Sequence, residues 1–250
     1  MTNKKVFSGS ASKKPTAKPT RNLHDLLARS IGERILAGEY APGSLLPNEA
    51  AWGEIYDVSR TAVRESIKTL TGKGLLLSRP KIGSRVQPRD RWNLLDRDVL
   101  SWHRSAIDRR SFAASTQEAR RIIEPGIAAL AAKKRSIEQL DRLVAALEAM
   151  REAKSVQINV VADVEFHSAL LKAANNDLLM PFGIIIEQAL ANLFDYTSQR
   201  NPKPSLAIKL HERIVHAVVA QDAEAARLAM LKLIDDTDAV IAATAPPKKD

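Results

Sequence analysis

Residues 94–244 are rich in alanine, leucine and isoleucine, repeat with helical periodicity and contain few glycines or prolines. This stretch limits the possible folds more than any other, because strands would need period-two alternation and turn residues that it lacks. We predict six or seven helices here, at roughly 94–109, 114–134, 136–153, 157–174, 177–199, 205–220 and 222–243. The predicted fold class is therefore mainly α, with an all-helical bundle as the C-terminal part of the chain.

The first third of the chain is divided into shorter elements. An apolar helical stripe covers residues 23–36, and its members are Leu23, Leu26, Leu27, Ile31 and Ile35. After the breakers in GEYAPGS come two short helices, NEAAWGEIY and SRTAVRESIKTLTGKG, joined by the residues DVS, with Ser59 as N-cap of the second. The next segment, LLLSRPKIGSRVQ, alternates and predicts a small hairpin. This order of elements is that of a winged helix-turn-helix.

Positive charge is concentrated at the N-terminal end. Residues 1–90 hold 16 Lys and Arg against 8 Asp and Glu, so +8 of the net charge of +9 lies there. Such an excess is typical of a module that binds nucleic acid, with a lysine-rich solubilising tail as the alternative. The absence of cysteine excludes disulfides and thiolate zinc sites. No apolar run reaches the roughly 18 residues of a membrane span, so we expect a cytoplasmic protein with no membrane partner.

The second of the two short helices begins with residues suited to DNA. Ser59 and Thr61 carry hydroxyl groups that can bind phosphates at a helix N-terminus. Arg60 and Arg64 can contact a phosphate or donate two hydrogen bonds to guanine. The residues predicted to face the small core are Val63, Ile67 and Leu70. Arginines on an isolated helix can equally form an ordinary solvated face, so the spacing alone leaves both interpretations open.

The stretch LAGEYAPGSLLPNEAAWGEIYDVSRTAVRESIKTLTGKGLL resembles the winged-helix domain of GntR-family transcription regulators. The matching positions are Gly38, Pro42, Gly43, Leu46, Pro47, Glu49, Val58, Ser59, Arg60, Val63, Arg64, Glu65, Leu70 and Gly74. The resemblance implies that the second helix contacts a palindromic double-stranded DNA operator and that the wing reaches the minor groove. The implied DNA-binding residues are Ser59, Arg60, Thr61, Arg64, Lys81 and Gly83. Ala50 and Lys81 depart from the family pattern, which often has arginine and glycine there.

In the helical part, DVEFHSALLKAANN places an acid and a histidine four residues apart, so Asp163 and His167 share one helix face. The pair could bind a metal in an enzyme, hold an effector in a sensor, form a surface ion pair or satisfy itself inside the core. The apolar neighbours Val160, Val164 and Leu170 favour at least partial burial, where a charge needs a partner. The spacing by itself does not choose among these.

Three stretches of the helical part resemble the FadR-type ligand-binding (FCD) domain of the same family: ARRIIEPGIAALAA, DVEFHSALLKAANN and LHERIVHAVVAQDAEAARLAM. The resemblance implies that Arg120 binds the carboxylate of a small organic-acid effector. The other implied effector-binding residues are Asp163, His167 and His211. These three also match ligands of a divalent metal, zinc or similar, whereas Leu233 stands at the place of the fourth ligand. Three ligands with an open position can still hold a metal ion.

Residues 89–102, RDRWNLLDRDVLSW, are similar to the linker and first helix of sugar-acid regulators of this subfamily, particularly those of the galactonate type. This resemblance implies a sugar acid as the effector. The direct structural interpretation is that the apolar side chains dock the linker against the helical bundle. The side chains concerned are Trp92, Leu95, Val99 and Trp102.

The predicted domains are a disordered basic tail at 1–21, a winged helix-turn-helix DNA-binding domain at 22–88, a linker at 89–93, a helical effector-binding and dimerisation domain at 94–244 and a tail at 245–250. The predicted function is a homodimeric transcription repressor that responds to a small organic acid. The alternatives are a metal-dependent enzyme that uses Asp163, His167 and His211 on a small acid, and an architectural nucleic-acid-binding protein. Because no motif places a separate acid or base beside these residues, we predict no enzymatic activity.

Overall fold

A computed structural model describes residues 23–79, 82–197 and 204–244, so the predicted tails lie outside the described residues. The N-terminal part contains α1 (Leu23–Leu36), α2 (Glu49–Tyr56) and α3 (Arg60–Gly72), followed by an antiparallel hairpin of β1 (Leu76–Arg79) and β2 (Gly83–Val86). One turn of 3-10 helix, Arg89–Arg91, leads to α4 (Arg97–Ala106). The predicted winged helix-turn-helix is confirmed.

Side-chain caps set the limits of α2 and α3. Asn48 accepts a hydrogen bond from the backbone N–H of Ala51 at 2.9 Å and so starts α2. Asp57 ends α2 in the left-handed conformation, with φ of 51°, which aspartate tolerates better than most residues. Ser59 starts α3 by accepting from the N–H of Ala62 at 3.2 Å. The turn between the two helices is therefore confined to residues 57–59, as predicted.

The hairpin is extended by the segment that precedes α2. The N–H of Leu46 donates to the Ser84 carbonyl at 2.9 Å, and the N–H of Val86 donates to the Ser44 carbonyl at 3.0 Å. These bonds occupy the outer edge of β2, because β1 already pairs with its other edge. Gly83 begins β2 with φ of 96°, a conformation that favours glycine. The hairpin is thus hydrogen-bonded to the segment that leads into α2.

The apolar stripe of α1 was predicted only in part. Leu27, Ile31 and Ile35 are buried in the core of the winged helix, as expected. Leu23 and Leu26, in contrast, are 55% and 46% exposed. They lie in the first turn of α1, and the core begins one turn further along the helix.

The bundle within the described residues consists of α5 (Arg109–Lys134), α6 (Ile137–Glu152), α7 (Val156–Ala173), α8 (Gly183–Thr197), α9 (Pro204–Val219) and α10 (Ala223–Thr244). Together with α4 these are the helices that the periodicity predicts. α5 begins earlier than expected, because Asp108 caps it by accepting from the N–H of Ser111 at 2.9 Å. The helix predicted at 177–199 opens with a 3-10 segment, Asp177–Phe182, which contains Pro181.

The linker and α4 pack largely on the winged helix, so the prediction that their apolar side chains dock against the bundle was wrong for Trp92, Val99 and Trp102. Trp92, Val99 and Trp102 belong to the apolar core that α1 and α3 also form, while Leu95 is 39% exposed. The physical reason lies in Gly32 of α1, where an added β-carbon would stand 2.5 Å from the Trp102 ring. Glycine at this position leaves the space that the indole fills.

α5 lies at the centre of the bundle and packs against α7, α8, α9 and α10. The apolar core around it is built largely from alanine, leucine and isoleucine of these helices and of α6. Side chains on α5 therefore meet side chains from several helices at once. None of the helices in the described ranges combines the length and the apolar character needed to cross a membrane.

Candidate functional site

α3 carries the residues that were predicted to contact DNA on its exposed side. Ser59, Arg60, Thr61 and Arg64 are exposed. The residues that α3 buries in the core are Val63, Ser66, Ile67 and Leu70, which include the three predicted ones. Because the core holds the inner face of α3, its N-terminal turns remain free to enter a DNA groove.

Arg64 is positioned by an ion pair with the other helix of the motif. Its Nε donates to Oε2 of Glu49 at 2.7 Å, and both side chains are well exposed. Glu49 is the first residue of α2, so the pair joins the starts of the two helices. Exposed pairs contribute little to stability, and Arg64 can therefore exchange this partner for DNA at small cost. In the wing, Gly83 is exposed, and Lys81 lies outside the described residues.

Two helices of the bundle bring three of the predicted site residues into one cluster. His211 of α9 places Nε2 3.0 Å from Oδ1 of Asp163 on α7, and Nε2 of His167 lies 3.5 Å from the same oxygen. One potential ligand atom from each residue lies within 4.8 Å of the others. The side chains are 16% exposed for Asp163, 2% for His167 and 4% for His211. The expected burial is confirmed, which excludes the surface ion pair.

Glu124 of α5 joins Arg120 to this cluster, although the sequence did not single it out as a site residue. Its carboxylate accepts a hydrogen bond from Nε of Arg120, and its Oε2 lies 2.6 Å from Nδ1 of His167. The side chains of Arg120 and Glu124 are each 1% exposed. Glu124 follows Arg120 by four residues, as His167 follows Asp163. The same spacing could therefore have identified it.

Arg120 has donors that no other described residue uses. Its Nη1 donates to Oε1 of Gln117 at 3.0 Å, and Gln117 donates in turn to Oδ1 of Asp238 at 2.7 Å. Its Nη2 donates to no residue in the described part of the chain. A buried guanidinium with uncommitted N–H groups is suited to a planar carboxylate, which can accept two parallel hydrogen bonds.

Burial and opposite charges have contrary effects on the titratable groups of the cluster. Burial raises the pKa of Glu124, but Arg120 and His167 outweigh it and lower that pKa to about 2. Burial also raises the pKa of Asp163, and the neighbouring imidazoles of His167 and His211 more than offset it, so this pKa lies below its usual range. For His167 burial lowers the pKa, whereas Glu124 and Asp163 raise it to about 9. The protein therefore holds His167 as an imidazolium between two carboxylates.

The donor set fits a divalent metal ion. Nδ1 of His211 lies 2.8 Å from the Ala207 carbonyl, so an N–H there leaves Nε2 free as a ligand. Nδ1 of His167 lies 2.6 Å from Oε2 of Glu124, and its Nε2 faces Asp163. Within the described residues, both Nε2 atoms and Oδ1 of Asp163 are buried without a partner in hydrogen-bond geometry. A metal ion at these atoms would displace the proton from His167.

Leu233 supplies no fourth ligand. It is 4% exposed and belongs to the apolar core that also contains Phe166. The Phe166 ring makes edge contacts with the rings of His167 and His211, at centroid distances of 5.6 and 4.8 Å. One side of the cluster is therefore apolar, and a bound metal would keep a coordination position for water or an effector oxygen.

A cavity of about 360 Å³ reaches the cluster from the direction of the linker. It is lined by residues of α7 and α8, by the turn between them and by the start of α4; His167, Ser168, Ile184, Glu187 and Leu95 are among them. This volume is within the range of small-molecule sites. A ligand in the cavity would contact both His167 and the segment that connects to the winged helix.

Two family models match the chain: the gntR family of bacterial regulatory proteins over residues 23–86 and the FCD domain over residues 116–236. The chain is 34% identical to the HTH-type transcriptional regulator YieP of Escherichia coli, over 87% of this chain and 95% of that protein. It is 33% identical to the galactonate operon transcriptional repressor of Escherichia coli, over 86% and 95%. The solved structure of GntR from Streptococcus agalactiae is similar with a TM-score of 0.50 and 27% identity, covering 87% of this chain and all of that one.

Proposed function

Because the chain belongs to the gntR family of bacterial regulatory proteins and carries an FCD domain, it is a transcription regulator and not an enzyme, and we propose that it is a repressor controlled by a sugar acid. The observation that carries this proposal is the buried cluster in which the uncommitted donors of Arg120 lie beside an acid and two histidines. Its relationship to a galactonate operon repressor supports the effector class. The protein acts in the cytoplasm, where the operator DNA is located.

On the DNA side, the start of α3 enters the major groove and the wing lies against the minor groove. The proposed contacts are Ser59, Arg60, Thr61, Arg64, Lys81 and Gly83. One recognition helix covers only half of a site, so the protein acts as a homodimer on a palindromic operator whose half-sites are about one helical turn apart. The basic N-terminal third adds attraction to the phosphates.

A gel-shift titration with a palindromic fragment from the upstream region of the gene tests the DNA contacts. Arg64→Ala should weaken specific binding roughly tenfold or more, because one lost base contact is worth about 1–3 kcal/mol. Lys68→Ala is the matched control, since Lys68 is an exposed cation further along α3 that pairs with Glu65 at 2.7 Å. Arg64→Ala that binds the fragment as tightly as Lys68→Ala would refute the assignment of α3.

On the effector side, Arg120 binds the carboxylate, while Asp163, His167 and His211 bind hydroxyl groups directly or through a metal. A ligand that extends from His167 into the cavity would lie next to Leu95, just before α4, and α4 packs on the winged helix. An acid that binds more tightly to one position of α4 thereby changes the spacing of the two winged-helix domains in the dimer and weakens operator binding.

Isothermal titration with galactonate and gluconate tests the effector side. Arg120→Lys keeps the charge but cannot form the two parallel hydrogen bonds, so the affinity should fall roughly tenfold or more. Arg121→Lys is the control, because Arg121 is the adjacent, exposed residue, which pairs with Asp235 and Asp238. If the two variants bind these acids equally well, Arg120 is not the carboxylate-binding residue.

Asp163, His167 and His211 would hold the divalent metal, such as zinc, as three protein ligands. When bound, the ion would supply a Lewis acid that attracts carboxylate or hydroxyl oxygens of the effector. Glu124 and the Ala207 carbonyl would orient the two imidazoles through their Nδ1 atoms.

A further inference from the structure

Two buried amides on α8 have oxygen atoms without a partner among the described residues. Gln188 is 7% exposed and Asn192 is 2% exposed. Among the described residues, Oε1 of Gln188 and Oδ1 of Asn192 accept no hydrogen bond. Buried polar groups in native proteins are nearly always paired, because an unpaired one loses its hydration without compensation. Two such groups on one helix therefore point to a partner that binds from outside the protein.

The position of these amides associates them with the effector site. They are four residues apart, so they lie on the same face of α8. α8 packs against α5, which carries Arg120, and against α7, which carries His167. Ile184 and Glu187, one turn and one residue before Gln188, line the cavity that reaches His167.

The rest of the bundle supports the same grouping. Its buried polar side chains in the described ranges are Thr116, Gln117, Arg120, Glu124, His167, Gln188, Asn192 and His211. Thr116 is satisfied locally, because its hydroxyl donates to carbonyls of its own helix at 2.9 and 3.0 Å. Among residues 183–192 of α8, the other buried residues are apolar, namely Ile186, Ala189 and Leu190. The amides of α8 are thus buried polar groups that neither helix formation nor apolar packing explains.

We propose that Gln188 and Asn192 recognise hydroxyl groups of the effector and so select a polyhydroxylated acid over a plain carboxylic acid. The inference rests on the proposed function and adds to it the residues that read the hydroxyl groups. Arg120 takes the carboxylate, which has no hydrogen to donate at neutral pH. An amide oxygen needs a donor, and a hydroxyl group provides one while also accepting from the amide NH₂. A plain fatty acid leaves both amides unpaired.

The selectivity follows from the cost of leaving buried groups unpaired. A site built to bond hydroxyl groups discriminates strongly against an analogue that lacks them, whereas an apolar pocket hardly rejects an added hydroxyl. A ligand without hydroxyl groups offers no donor to the two amides. Replacing them with leucine should therefore remove selectivity without removing the carboxylate site at Arg120.

Isothermal titration of the full-length protein with galactonate, gluconate and hexanoate tests this proposal. Wild-type protein should bind at least one of the two aldonates about tenfold or more tightly than hexanoate. Gln188→Leu and Asn192→Leu should each weaken the aldonate about tenfold and leave hexanoate unchanged or tighter. The control is Thr116→Val, which removes a buried hydroxyl with local bonds only and should bind each acid like the wild type.

The melting temperature without any acid provides a second measurement. Leucine in place of an unpaired amide should keep the melting temperature or raise it, because the penalty of the buried oxygen disappears. A structural role for the amides would instead lower it. Lower melting temperatures together with unchanged aldonate affinity in both variants would overturn the proposal.

The outcomes separate this inference from the proposed function. If wild-type protein binds hexanoate as tightly as the aldonates and releases DNA, control by an organic acid stands and hydroxyl recognition is wrong. If the aldonates bind selectively and the double variant keeps that selectivity, only the assignment of Gln188 and Asn192 fails. If none of these acids binds, the sugar-acid function and the inference fail together.

Discussion

Glu124→Gln should destabilise the helical domain far more than an ordinary loss of a surface ion pair. Glu124 accepts from Arg120 and lies 2.6 Å from His167, and its side chain is 1% exposed. The substitution keeps the shape of the side chain but removes its negative charge. Asp163 then remains as the carboxylate that faces the two cations of the cluster, Arg120 and His167. Breaking a buried pair from one side costs about 3–5 kcal/mol.

The matched control is Glu33→Gln in α1. Glu33 pairs with Arg29 at 2.8 Å with the same four-residue spacing, but the two side chains are 30% and 40% exposed. Pairs of this kind contribute about 0.3–0.5 kcal/mol. The two variants therefore remove the same chemical interaction from a buried and a partly exposed position.

The assay is urea unfolding followed by helical circular dichroism, on protein dialysed against chelator, because a bound ion or acid would stabilise the folded state. With a urea slope of about 2 kcal/mol per molar, a loss of about 4 kcal/mol lowers the midpoint by about 2 M. Glu33→Gln should shift it by roughly 0.2 M. A Glu124→Gln midpoint close to that of Glu33→Gln would refute the view that the buried network holds α5 to α7.

Three further predictions concern packing, pH and metal. Gly32→Ala should lower the free energy of unfolding by about 1–3 kcal/mol, because the new β-carbon meets Trp102 at 2.5 Å. The control is Gly126→Ala, which has open space around it and should stabilise the protein by up to about 1 kcal/mol. Equal effects of the two substitutions would contradict the packing of α4. Burial raises the pKa of Asp96, but the hydrogen bond and charge of Lys73, together with the backbone N–H groups of Val99 and Asp98, outweigh it and lower that pKa. The ionised Asp96 carboxylate therefore stabilises the folded state above its unfolded-state pKa near 3.8, and this stabilisation is lost as the pH falls through the lower folded-state pKa. The melting temperatures of wild type and Asp96→Asn should differ at pH 7 and converge in strong acid. Purified protein should contain close to one zinc or similar ion per chain by mass spectrometry. His211→Ala should lose this ion, whereas His216→Ala, which replaces an exposed histidine on the same helix, should keep it. Equal metal content in the two variants would contradict the proposed ligands.

Local features of the sequence were sufficient to predict most of the fold. Ser59 and Asn48 cap helices by accepting from N–H groups three residues away, so their effect does not depend on the rest of the chain. The helical periodicity of residues 94–244 likewise requires only that one face be apolar. The four-residue spacing of Asp163 and His167 placed them on one face before any packing was known.

Tertiary packing decided what those faces meet. The contact between His167 and Glu124 joins α7 to α5, and no spacing within either helix specifies it. Trp102 could have packed on either domain, and the space over Gly32 determined that it packs on the winged helix. Gln188 and Asn192 look like ordinary polar residues in the sequence, and only their burial distinguishes them. Contacts between distant segments depend on shape and volume across the whole fold, which local spacing does not encode.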